Sequence, residues 1–332
     1  MIALGCFLLF SISQPASAVE AKLAPLVNIL KDPEAPHDAK WKSVQSMIEL
    51  GKDVTPATIA LLDVPTDNTR YYAIRVLDGV ADLRAVVPLS RLLADTTYIQ
   101  RRYAATALGW IKDPAAVPAL KNALSDKSYV RNDAMLALAR IDHPDANTAL
   151  KEQFFGNKTA DLDLLVELDS LPVKPDVPFN IHYRIRNATD RPTAITIQAL
   201  KSPGRVVVQD TTGRFVPWLA QGPKDPAGAH GEPVRLAPKE TLSGTFQAAL
   251  RSWVPEDEDD VRHYGSVARP LLDFGKGTAL VQKPGDYTLC LVLEQSADFA
   301  KNLWDGVVPE AMLRDFRPLK AVSNTVPFSI AP

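Results

Sequence analysis

The chain has 332 residues, 46% hydrophobic and 23% charged, with a formal net charge of -2. That is enough apolar chain for two ordinary domains with real cores, and the near-neutral balance excludes a broad basic surface for nucleic acid. Proline is frequent, 27 against 16 glycines, which suits helix starts, turns and edge strands.

The chain opens MIALGCFLLFSISQPASAVEAK. Ile2 to Ile12 has the length of a signal-peptide apolar core, and Ala16-Ser17-Ala18 supplies a small-residue cleavage pattern. The run is too short to span a bilayer comfortably, and its first residues carry no Lys or Arg. These features predict residues 1–18 as a signal peptide cleaved after Ala18, and a periplasmic or secreted mature protein that is not inserted into a membrane. Leu4-Gly5-Cys6 resembles a lipoprotein box, but no apolar core precedes it. Cys6 leaves with the signal, so Cys290 remains alone and no internal disulfide can form. Cys290 lies in the alternating stretch DYTLCLVLE and reads as a buried structural thiol.

A repeat follows. RRYAATALGWIKDPAAVPALKNAL, from Arg101 to Leu124, is echoed by RNDAMLALARIDHPDANTAL, from Arg131 to Leu150. Backwards, Arg70 falls against Arg101, Leu77 against Leu108, Val80 against Ile111 and Asp82 against Asp113. The period of about thirty residues is in the solenoid range. Arg101 to Ile111 puts Ala104, Ala107, Leu108 and Ile111 on one stripe at helical spacing. Pro114 to Leu124 predicts a second helix, opened by a proline and capped by Asp113. Helices this short cannot bury both apolar faces alone, whereas stacked pairs can.

VRNDAMLALARI and RRYAATALGWIKDPAAVPALKNALSD resemble the HEAT-like repeats first described in phycobilisome lyases. The resemblance runs from Asn68 to about Phe155. WKSVQSMIELG and TPATIALLDV, between Ala21 and Leu62, read as a degenerate cap. Ala139 and Arg140 depart from the Gly-x of the pattern, and Asp78 stands where Gly109 does. The resemblance implies a solenoid of about four helical pairs. It also implies an Asp–Arg ladder, Asp95 with Arg101 and Asp126 with Arg131, and a concave face lined by the helices that carry Arg70, Arg101 and Arg131. It implies no lyase activity, because the repeat is shared with many non-enzymes.

After Phe155 the period changes to two. Phe179, Ile181, Tyr183 and Ile185 alternate with Asn180, His182, Arg184 and Arg186, as in a half-buried strand. RNATDRP is a turn and TAITIQAL the next strand. Further strands are predicted at Arg205–Gln209, Arg214–Trp218, Leu242–Leu250, Asp286–Glu294 and Asn324–Ile330, with insertions at Gln221–Pro233 and Ser252–Lys276. Strands with turn signals at this spacing point to an antiparallel sandwich. The order of phrases resembles immunoglobulin-like accessory domains of exported bacterial proteins, which implies binding or spacing. The predicted fold is multidomain α + β: an α-solenoid of HEAT-like helical pairs over residues 19–158, then a β-sandwich over 159–332 with long loop insertions.

No motif for chemistry emerges. His37, His143, His182, His230 and His263 lack a second ligand at metal spacing, and His143 takes the turn position that Asp113 fills one repeat earlier. The acidic run Glu256 to Asp260 lacks the spacing of a calcium loop and reads as a solvated loop. Neither LSGTF nor YGSVA is a nucleophile elbow. DFGKGTAL lacks the P-loop spacer and reads as a Gly-rich hairpin.

The candidate binding residues lie instead on the solenoid. The helices carrying the repeated arginines are predicted to leave exposed Tyr71, Tyr72 and Arg75, then Arg102, Tyr103, Thr106 and Trp110, then Asn132, Asp133, Leu136 and Arg140. Tyr, Trp and Arg bury large area with few lost rotamers and dominate interface hot spots. The alternative use of that face is as a packing surface for the β domain or the N-terminal helices. The sequence therefore predicts an exported, non-catalytic protein–protein scaffold with no cofactor or metal and a protein partner. Two alternatives stand beside it. One is a glycan- or small-molecule-binding module on the same ridge. The other is a hydrolase-type enzyme with a site at the domain junction near His182, Glu256 and His263.

Overall fold

A computed structural model describes residues 16–126, 128–169, 171–195, 205–218, 234–253, 269–274, 278–281, 284–295, 314–315 and 317–330. The molecule divides into two compact units, Met1–Ile111 and Lys112–Pro332.

The first unit is helical: α1 (Ala16–Lys31), α2 (His37–Glu49), α3 (Thr55–Ala60), α4 (Asp67–Val80), α5 (Val86–Leu92) and α6 (Tyr98–Ile111). Helices α2, α4 and α6 pack side by side, with α1, α3 and α5 laid against them in turn. The repeated apolar letters form the seam. Ala73 and Leu77 of α4, and Ala104 and Leu108 of α6, are fully buried. The chain enters α5 through a single 3-10 turn, Leu83–Ala85, where the Asp82 carboxylate accepts from the Arg84 amide at 3.0 Å. Asp82 also accepts from Thr55 at 3.0 Å and from the Arg84 side chain, so one carboxylate ties α3 to the turn. The Arg84 hydrogen bonds overcome the cost of burial and pull the Asp82 carboxyl down from 3.8 to about 2.

The expected ladder is re-paired. The Asp95 carboxylate lies on Arg70 at 2.5 Å, while Arg101 donates to the main-chain carbonyls of Asp95 and Thr96. The turn before α6 brings the carbonyls to Arg101 and leaves the carboxylate facing back along the stack.

The second unit begins with α7 (Val117–Ala123), α8 (Ser128–Arg140) and α9 (Pro144–Phe155). The predicted helix Pro114–Leu124 is a 3-10 turn, Pro114–Ala116, running into α7, with Asp113 accepting from the Ala115 amide at 2.8 Å. One repeat later His143 does the same work: its Nδ1 accepts from the Asp145 amide at 3.2 Å.

The sheet region follows: β1 (Leu162–Leu168), β2 (Phe179–Asn187), β3 (Thr193–Ile195), β4 (Val206–Asp210), β5 (Val234–Leu236), β6 (Thr241–Trp253), β7 (Arg269–Asp273), β8 (Thr278–Leu280), β9 (Gly285–Gln295), β10 (Leu319–Val322) and β11 (Val326–Ile330). One antiparallel sheet runs β1-β2-β6-β7-β8. Another centres on β9 with β10, β11 and β4, and β3 pairs β5. Phe179, Ile181 and Ile185 of the first sheet and Leu289, Leu291 and Leu293 of the second share one core. Cys290 is buried and its thiol is pushed up to about 12 by burial, so it stays protonated. Helix α9 packs on this region through Phe154, whose ring stacks on Phe215 at 5.2 Å and meets Trp218 edge-on at 6.2 Å.

Two expectations need correction. Arg214–Trp218 is not a strand; it returns from a tight turn and makes isolated bridges at Phe215 and Trp218. The expected insertion Ser252–Lys276 contains β7, whose pairing with β8 sets Asp273 opposite Thr278 in a hairpin. Strand β10 carried no alternation signal in four residues. The insertion Gln221–Pro233, the acidic run Glu256 to Asp260 and the first fifteen residues lie outside the described residues.

The turn RNATDRP is held by Asn187, which is fully buried. Its Nδ2 donates to the carbonyls of Arg191, Leu236 and Ala237, and its Oδ1 accepts from the amide and hydroxyl of Thr189. Asn187→Ala leaves those carbonyls, that of Leu236 buried, unpaired and is expected to cost about 2–4 kcal/mol, read by urea unfolding. A loss below about 1 kcal/mol contradicts this role. Asp82 gives a pH test. Its folded pKa is depressed, so its contribution is fully present above the unfolded value of 3.8 and is lost as pH falls through about 2. Asp82→Asn is expected to be less stable than wild type at pH 7, with the gap closing toward pH 2. A gap that stays constant with pH contradicts the assignment.

Candidate binding ridge

The helix seam fixes what the outer stripes present. Because α2, α4 and α6 stack in register, Trp41, Tyr72 and Tyr103 recur at intervals of 31 residues and fall in one row. The rings touch. Tyr71 meets Tyr72 at 5.1 Å and Tyr103 at 4.8 Å, both edge-on. His37 stacks on Trp41 at 6.5 Å and tilts onto Tyr72 at 6.0 Å. The Arg75 guanidinium sits over the Trp41 ring at 5.5 Å, and Lys40 lies 6.0 Å from the Tyr72 centroid. Arg75 is also ion-paired with the buried Asp78 at 2.8 Å, which fixes the guanidinium over the ring. Such edge-on and cation–π contacts rigidify large side chains.

Burial raises the Tyr71 phenol, and the neighbouring phenols of Tyr103 and Tyr72 raise it further against the pull of Arg75. Burial alone raises Tyr72. Both phenols are therefore hydrogen-bond donors at neutral pH.

Of the predicted residues, Tyr71, Arg75, Arg102, Tyr103, Thr106 and Trp110 are half-buried on α4 and α6. Thr106 turns its hydroxyl back to the Arg102 carbonyl at 3.2 Å. The exposure expected of four others, Tyr72, Asp133, Leu136 and Arg140, is corrected. Tyr72 is 2% exposed because His37 and Lys40 of α2 lie against it. Arg140 is 8% exposed, in a run of α8 that also buries Asp133 and Leu136. The stripe is thus a half-open aromatic–basic ridge on the first unit and a buried surface on α8. His37, Lys40 and Trp41 were missed, although the spacing of Trp41 from Tyr72 was a usable signal.

Of the residues of the hydrolase alternative, His182 alone is among the described residues. His182 sits on the outer face of β2, with Nδ1 2.8 Å from the hydroxyl of its cross-strand neighbour Thr245 and Nε2 3.9 Å from Asp169. It borders an open groove of about 430 Å³ lined by Leu165, Glu167, Arg184 and Ser243. Glu256 and His263 lie outside the described residues. Among the described residues, no three of His, Cys, Asp and Glu are grouped to hold a metal, and no helix is long and apolar enough to cross a membrane.

If the Tyr71–Tyr103 contact organises the ridge, a double-mutant cycle of Tyr71→Ala and Tyr103→Ala is expected to return a coupling of about 0.5–1.5 kcal/mol in urea unfolding. Strict additivity contradicts it.

Comparison with known proteins agrees with the helical half. No curated protein matches the chain. The complex of CpcE and CpcF of phycocyanin lyase from Nostoc sp. PCC7120 is similar over 41% of this chain and 87% of that one, at 23% identity and a TM-score of 0.37. The Pseudomonas fluorescens alkylpurine DNA glycosylase AlkC, bound to DNA containing an abasic site analog, is similar over 97% of this chain and 84% of that one, at 11% identity and a TM-score of 0.35. The HEAT repeats family matches at residues 54–139 and 89–162, so HEAT repeats lie within residues 54–162.

Proposed function

We propose that this chain is an exported scaffold that binds another protein along the ridge of α2, α4 and α6, and that it acts by binding rather than by catalysis. The observation that carries this reading is the continuous ring contact from His37 through Tyr72 and Tyr71 to Tyr103. It presents rigid aromatic edges, donor phenols and two flanking arginines, Arg75 and Arg102, on a half-open surface. Preorganised aromatic and basic groups suit a polypeptide segment, since little rotamer entropy remains to be lost on binding. The net charge of -2 favours a protein partner over nucleic acid.

Export rests on the apolar run Ile2 to Ile12 and the Ala16-Ser17-Ala18 pattern. The mature chain is expected to begin at Val19, checked by intact mass of the protein recovered from the envelope or medium. An intact Met1 in a cytosolic fraction contradicts export. For binding, wild type and Tyr103→Ala/Trp110→Ala are compared as baits in an envelope extract, with circular dichroism confirming that both fold. The variant is expected to lose the partners that wild type retains. Equal capture by both contradicts the ridge as the binding surface.

A further inference from the structure

Within the second unit, the hairpin of α8 and α9 and the turn that follows β4 enclose a cavity of about 250 Å³. Leu138, Ile141 and Leu150 give it an apolar lining from the helices, and Phe215 lines it from the sheet side, held by the stacked ring of Phe154. Asp142, at the helix hairpin, pairs with Arg214, at the turn, at 3.0 Å and clasps the two sides together. The turn itself is fixed by Asp210, whose Oδ1 accepts from the amides of Thr212 and Arg214 and from the Thr212 hydroxyl at 2.9, 3.1 and 2.6 Å.

Two further polar groups of the lining are left with open capacity. The Gly213 carbonyl accepts from Gln209 Nε2 at 2.9 Å and from Asn147 Nδ2 at 3.1 Å. This fixes the Asn147 amide, because a flip would set Oδ1 against the carbonyl oxygen. Its Oδ1 is buried and accepts from no described residue. A buried acceptor without a donor is unfavourable until one reaches it. His143 has the opposite need. Its Nδ1 accepts from the Asp145 amide at 3.2 Å, so the neutral ring carries its proton on Nε2 and offers a donor. The Asn147 amide donates to the His143 carbonyl at 3.1 Å, which sets the two side chains one helical turn apart. That spacing is about 5–6 Å, a gap that the N–H and C=O of one carboxamide fill. The cavity holds about eight water-sized units at about 30 Å³ each, enough for a single ring bearing that group. A carboxylate lacks the N–H and would face both Asn147 Oδ1 and Asp142. We propose that this cavity binds a small neutral carboxamide: its N–H donates to Asn147 Oδ1, its carbonyl accepts from His143 Nε2, and its apolar body lies among Leu138, Ile141, Leu150 and Phe215. The site does not depend on the ridge of the first unit.

The test is an NMR titration of the isotope-labelled full chain with benzamide. Acetophenone, which keeps the ring and the carbonyl but has no N–H, is the parallel titrant. Wild type is expected to saturate with benzamide, shifting the Asn147 side-chain amide signals, and to bind acetophenone about tenfold more weakly. His143→Asp keeps the cap, since Asp113 does the same work one repeat earlier, but removes the Nε2 donor. It is expected to keep the Tm of wild type and to bind benzamide about tenfold more weakly. Asn147→Ala is expected to erase the preference for benzamide over acetophenone. No saturable benzamide binding by wild type, equal affinity for acetophenone, or undiminished benzamide binding by His143→Asp would each overturn the site.

Discussion

Two helices of seven to fourteen residues cannot hide both of their apolar faces, and the first half of this chain is organised by that constraint. The solution is translation. Leu77 and Leu108 occupy the same place in successive pairs, with Leu89 and Leu120 in the companion helices, and all four are fully buried. Each such leucine contributes about 1.5–3 kcal/mol relative to exposure. Translation acts on every residue of the helix, so once the leucines are in register the other side chains are as well. The aromatic row of Trp41, Tyr72 and Tyr103 follows from the same stacking that builds the core.

The same register shows where repetition ends. The cap that opens the second helix of a pair is Asp82, then Asp113, then His143, and each accepts an amide two residues ahead. The geometry is kept while the chemistry drifts. The repeat arginines are also placed differently: Arg70 pairs with the Asp95 carboxylate, and Arg101 donates to the carbonyls of Asp95 and Thr96. In the second unit α8 buries the stripe that α4 and α6 leave half-open, and α9 gives its aromatic end to Phe215 and Trp218.

Much of this was readable beforehand where the signal is local. Asp113-Pro114 marked a helix start because a cap and a proline without an amide donor serve the same end of a helix. Phe179 to Ile185 declared its buried face because strand periodicity is two, and the observed burial alternates accordingly. Strands β8 and β10 were not legible because three or four residues do not establish a period. The partner of Asp95 was not legible because Arg70 and Arg101 lie on opposite sides of it in the chain, and loop geometry decides between them. Tyr72 was misjudged because its cover, His37 and Lys40, comes from a helix whose repeat character is weak in sequence.

The central claim is that the ridge of the first unit meets a protein partner while the companion layer of helices does not. Site-specific photo-crosslinking from the full-length chain in an envelope extract addresses it most directly. The photoreactive residue would replace either Tyr103 on the ridge or Val87, a 59% exposed apolar side chain on α5. The account predicts a discrete crosslinked species from position 103 and none from position 87. Crosslinking of the same partner from both positions, or from position 87 alone, contradicts it.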